Sequence, residues 1–148
     1  MKGWLLVASL LLASAFSSAS LALEFRSIAA DRTVMYDAPS LQGRKLFLAS
    51  RLYPVEVIVS LESFAKVRDV SGGLAWVEKK NLSDKHMVLV NVPLAEVRQS
   101  PDEKAALIFQ AERSVVLELL EYTGTGWLRV RHPDGAVGFI RIAQVWGA

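Results

Sequence analysis

The chain of 148 residues contains no cysteine, which excludes disulfides, a thiol nucleophile and a cysteine-linked lipid anchor. It has two histidines, His86 and His132, far apart in sequence. His86 sits in Asp84-Lys-His-Met87 and His132 directly precedes a proline turn, so both read as loop residues and not as catalytic bases. A structural or catalytic zinc needs three or four ligands; no metal, no cofactor and no catalytic residue is therefore expected, and the chain reads as a non-enzyme. Excess charge of one sign is also scarce, at a formal net charge of +2. Nucleic acid is not an expected partner, because binding it takes Lys and Arg clustered on one face. Beyond residue 22 there is no second long apolar run, so no stable membrane span is expected once the first segment is removed.

That first segment, residues 1–22, has the organisation of a cleavable signal peptide. Lys2 supplies the positive end, Leu5–Phe16 the apolar run, and Ser20 and Ala22 the small residues of a cleavage site after Ala22. The apolar run is short for a spanning helix, which needs about 20 apolar residues. The expected location is outside the cytosol, periplasmic or extracellular. The leader inflates the 52% hydrophobic content, so the fold has to be read from the remainder.

The remainder repeats itself. Ala95–Gly147 resembles Asp31–Leu82: Asp37-Ala-Pro39 meets Gln99-Ser-Pro101, and Leu46-Phe47-Leu-Ala49 meets Ile108-Phe109-Gln-Ala111. Arg51 falls on Arg113, Glu56 on Glu118, Phe64-Ala-Lys66-Val67-Arg68 on Trp127-Leu-Arg129-Val130-Arg131, and Trp76 on Phe139. The offset grows from 62 at the prolines to 63 at the aromatics, so the second copy carries one inserted residue. Self-similarity at a fixed period means two copies of one structural unit. The expected organisation is a signal segment 1–22, a first domain 23–86 and a second domain 87–148.

Both copies read as short strands. Val55–Leu61 and Val115–Tyr122 are rich in β-branched and apolar residues. Trp127-Leu-Arg-Val-Arg131 alternates, with Leu128 and Val130 on one face and Trp127, Arg129 and Arg131 on the other. Pro133-Asp-Gly135 and Asp69-Val-Ser-Gly-Gly73 supply tight turns, with Asp69 and Asp134 bonding their own backbone. Pro101–Ala106 and Leu117–Leu120 have helical composition, but their counterparts in the first copy do not. The expected class is all-β.

Gly126-Trp-Leu-Arg-Val-Arg-His-Pro-Asp-Gly-Ala-Val-Gly-Phe-Ile140, preceded by Glu96-Val-Arg-Gln-Ser-Pro101, resembles the bacterial SH3-like domain. Leu52-Tyr-Pro-Val-Glu-Val-Ile58, Ala65-Lys-Val-Arg-Asp69 and the closing Trp146-Gly147 resemble the two-domain exported subgroup of that family. The first copy departs from the pattern, with Phe64 for the usual tryptophan and Ala75 for the glycine before Trp76. The resemblance implies two tandem SH3-like barrels, each five-stranded and partly open. It implies binding and not catalysis, since such domains accompany cell-wall enzymes, often with a cysteine nucleophile that this chain lacks.

The candidate ligand-binding residues are Trp127, Arg129, Arg131 and Phe139 in the second copy and Tyr36, Tyr53 and Trp76 in the first. Outward aromatics beside guanidinium groups can stack on a sugar ring or hold an acidic peptide. The competing reading puts Trp127 over a barrel end with the arginines solvated. Trp146 is expected to pack between the copies, and the short link Ser83–His86 implies a fixed groove there. The expected function is a non-enzymatic, exported binding protein that contacts peptidoglycan; the alternative is an interaction module for an envelope protein or peptide.

Overall fold

The computed structural model describes residues 23–148. The signal segment 1–22 lies outside the described residues.

Fourteen short strands follow one another in chain order. The first seven are β1 (Phe25–Ile28), β2 (Thr33–Tyr36), β3 (Lys45–Ala49), β4 (Pro54–Ser60), β5 (Phe64–Arg68), β6 (Leu74–Glu78) and β7 (Leu82–Ser83). The second seven are β8 (Met87–Val90), β9 (Leu94–Arg98), β10 (Leu107–Glu112), β11 (Val116–Tyr122), β12 (Trp127–Arg131), β13 (Val137–Arg141) and β14 (Val145–Trp146). Each set forms one sheet, in the orders β3-β2-β6-β5-β4-β1-β7 and β10-β9-β13-β12-β11-β8-β14. The second order is the first with every index raised by seven, so the duplication holds strand for strand. The all-β, tandem SH3-like architecture is thus present, and in each sheet the two end strands do not pair, so neither sheet closes into a barrel. Each sheet has seven strands where five were expected. The additions are a first strand, which pairs with the fourth, and a closing strand of two residues.

The inserted residue falls in the turn after the long fourth strand. Three residues, Leu61–Ser63, join β4 to β5, whereas four, Thr123–Gly126, join β11 to β12. The longer turn takes Gly124 and Gly126 at φ 76° and 85°, a region that favours glycine. Pro101–Ala106 forms turns between β9 and β10, and Leu117–Leu120 lies within β11, so neither is helical.

Two separate cores fill the concave sides. The first gathers Ile28, Met35, Val55, Ala65, Val67 and Val77; the second gathers Val90, Val97, Leu117, Leu128, Val130 and Ile140. Equivalent positions trade volume. Ala65 stands where the second core has Leu128, and Met35 where it has Val97. Such exchanges conserve filling without conserving identity. Full burial of one of these aliphatic side chains contributes about 1.5–3 kcal/mol.

The units touch through their ends. The ring of Phe25 meets Trp146 edge-on at 5.3 Å, and His86 Nε2 donates to the Gly147 carbonyl at 2.5 Å. Trp146 therefore packs between the copies. A groove of about 320 Å³ is lined by Leu52 and Lys85 of the first unit and by Met87, Glu118, Arg131 and His132 of the second, among others. Among the described residues no helix is long and apolar enough to cross a membrane.

Candidate functional site

The face of each sheet turned away from its core carries the candidate residues other than Tyr53, and strand register sets several of them in rows. Arg129 lies opposite Phe139, and Phe139 opposite Arg98. In the first unit Lys66 lies opposite Trp76, and Trp76 opposite Tyr36. Each unit thus presents a cation, then an aromatic ring, then a third large side chain across three adjacent strands. Arg129 is exposed and forms no ion pair among the described residues; Phe139 and Trp76 are half-buried. Such a row offers a ring face for a sugar or an apolar side chain, and beside it a cation for a carboxylate.

Other candidates are placed differently. Trp127 lies on the opposite side of its strand from Leu128 and Val130, yet it is 7% exposed. Its cover comes from Arg141, whose guanidinium sits 4.7 Å from the ring centroid. Arg141 also pairs with Glu103, and Arg98 pairs with Glu96 while donating to the Ala105 carbonyl at 2.8 Å. A groove of about 330 Å³ borders these side chains, its charges already paired with one another. Arg131 is held by Glu118, with Nη2 at 2.6 Å and Nε at 3.1 Å. Glu56 and Arg68 make the equivalent pair at 3.4 Å in the first unit. The repeat of Glu56 as Glu118 is therefore a repeated cross-strand ion pair. Tyr36 is buried, with Phe64 edge-on at 6.2 Å.

Tyr53 stands apart from the rows and packs against the first core. Burial pushes its phenol above the ordinary value, the Asp69 carboxylate adds to this, and a backbone hydrogen bond at Val70 opposes it. The folded-state pKa is raised, so this contribution to stability is fully present below the unfolded value of about 10 and is lost as pH rises through the folded one. Tyr53→Phe is expected to remove that alkaline loss. Its melting temperature should fall less than the parent's between about pH 8 and about pH 11, measured by circular dichroism. An equal fall in both proteins would show that Tyr53 carries none of the effect.

Asp69 and Asp134 act as turn residues. Asp69 Oδ1 accepts from the Ser71 and Gly73 amides at 2.9 and 3.0 Å, and Asp134 Oδ1 from the Ala136 amide at 2.9 Å. That amide, with smaller contributions from His132, holds the Asp134 carboxyl below its usual range. The described residues contain no group of three or more side chains able to hold a metal ion.

Sequence reasoning passed over Lys66 and Arg98, which complete the two rows. The repeat alignment held the signal, because Lys66 falls on Arg129, and Tyr36 on Arg98.

Residues 91–147 match the family described as bacterial SH3 domain. No curated protein matches the chain. Among solved structures the chain is similar to NlpC2 from Trichomonas vaginalis, with a TM-score of 0.37, 17% identity, and coverage of 84% of this chain and 48% of that one. NlpC1 from Trichomonas vaginalis gives a TM-score of 0.37 and 16% identity, covering 87% and 47%. An NlpC/P60 family protein from Bacillus cereus ATCC 10987 gives 0.38 and 17%, covering 83% and 56%. The chain therefore spans about half the length of these structures.

Proposed function

We infer that this chain, whose residues 91–147 are a bacterial SH3 domain, is an exported, non-enzymatic binding protein that contacts peptidoglycan through the convex faces of two tandem units, 23–86 and 87–148. The family match carries this reading, and the identical strand order of the first sheet extends it to both units. The rows Arg129–Phe139 and Lys66–Trp76 support it chemically. A ring beside an unpaired cation suits a polymer that alternates sugar rings with carboxylate-bearing peptides.

Co-sedimentation with purified sacculi tests the reading. The full protein is expected in the pellet, and the double variant Lys66→Ala, Arg129→Ala largely in the supernatant. Both side chains project from the convex faces, so their removal leaves the cores intact. A parent protein that stays in the supernatant, or a double variant retained as well as the parent, overturns peptidoglycan as the ligand. An envelope protein then becomes the partner to seek.

A further inference from the structure

The shared topology makes each unit a control for the other. On the outer side of the β2–β3 hairpin the first unit carries Val34, Leu46 and Leu48; the same positions in the second are Glu96, Ile108 and Gln110. The fold accepts a carboxylate and an amide in place of Val34 and Leu48, so it does not require apolar side chains at those two positions. Leu46, Phe47 and Leu48 are 40%, 44% and 53% exposed. Their strand, β3, ends its sheet, so one side of its backbone has no neighbouring strand. An exposed apolar edge strand is a template for another strand.

The ends of β3 identify the occupant. Lys45 at one end and Arg51 just past the other form no ion pair among the described residues, and Arg44 reaches Asp37 only at 3.7 Å. The second unit lacks this pattern. Leu107 replaces Lys45, and Arg113, the counterpart of Arg51, is engaged with the Asn91 carbonyl at 2.7 Å. A second copy paired antiparallel along the same edge would gather the cations of both chains at one seam, where like charges repel. A strand flanked by carboxylates meets the opposite situation.

We propose that the β3 edge of the first unit binds an extended segment of a partner protein, with alternating apolar side chains flanked by acidic residues. Backbone hydrogen bonds to β3 supply the pairing, Leu46 and Leu48 receive the apolar side chains, and Lys45 and Arg51 meet the carboxylates. This surface adjoins the first unit's row, since Lys45 lies opposite Tyr36, but it uses neither Lys66 nor Trp76 and does not rest on the peptidoglycan reading.

The test uses the whole chain and two labelled peptides, Glu-Val-Thr-Val-Thr-Val-Glu and its lysine-flanked counterpart Lys-Val-Thr-Val-Thr-Val-Lys. Fluorescence anisotropy is expected to give saturable binding of the first, at least about tenfold tighter than the second. Amide hydrogen exchange should slow within residues 45–49. The variant Val34→Glu, Leu48→Gln installs residues that the same fold already holds in the second unit. It should keep the parent's melting temperature and lose at least about tenfold in affinity. Equal binding of the two peptides, protection located elsewhere, or an unaffected variant overturns the proposal. So does a concentration-dependent dimer of the free chain that Leu48→Gln abolishes, which would assign the edge to a second copy.

Discussion

Trp127→Ala is expected to lower the free energy of unfolding by about 3–5 kcal/mol, the range for removing a large buried aromatic ring. The ring is 7% exposed although it lies outside the concave core, because Arg141 roofs it. Removing it leaves the space beneath Arg141 unfilled and deprives the guanidinium of its ring face, a contact worth about 0.5–1 kcal/mol where water still reaches it. Arg141→Ala separates the two effects. It uncovers the ring without deleting it, so it should cost about 1 kcal/mol and move the tryptophan emission to longer wavelength. Chemical denaturation measures both costs. A near-zero loss for Trp127→Ala, together with lost retention on sacculi, would instead make the ring a ligand contact.

Gly138→Ala carries the second large effect. A Cβ at this position would lie 2.6 Å from Val97 Cγ1 and 2.8 Å from the Arg98 carbonyl oxygen. Neither neighbour can yield easily. Val97 is β-branched and stiff at χ1, and the carbonyl belongs to the strand that pairs beside it, where Phe139 meets Arg98. Overpacking of this kind costs about 1–3 kcal/mol. The first unit explains why alanine is nonetheless tolerated at the equivalent place. Ala75 faces Met35, an unbranched side chain that adapts its shape, where the second unit has Val97. The double variant Val97→Met, Gly138→Ala should therefore recover the part of the loss that Val97 causes, leaving the part due to the Arg98 carbonyl. A single variant as stable as the parent in urea would show that β9 and β13 separate freely.

The repeat was legible because alternation survives where identity does not. Val67 and Val130, or Val77 and Ile140, keep an apolar residue on the concave side at a constant offset. The first strand was not legible, because Arg26 and Ser27 interrupt any apolar run. Ser27 is buried only because its hydroxyl finds the Lys85 carbonyl, a partner 58 residues away. The rows were half legible. Register placed Arg129 beside Phe139 as alternation implied, but which cations stay unpaired depends on loops. Arg98 and Arg141 are drawn toward Glu96 and Glu103, whereas Arg129 is left to solvent. The cover over Trp127 also comes from a neighbouring strand, which spacing within its own strand does not disclose.

Two adjacent units with one strand order run a particular hazard during folding, because a strand of one can enter its counterpart's slot in the other. Their opening strands make that exchange unfavourable. Arg26 in β1 corresponds to Val88 in β8, which is fully buried. Misplaced there, the guanidinium would sit without a partner in an apolar interior, at a cost of several kcal/mol. The divergence of these two strands thus works as an address label, directing each half of the chain to its own sheet.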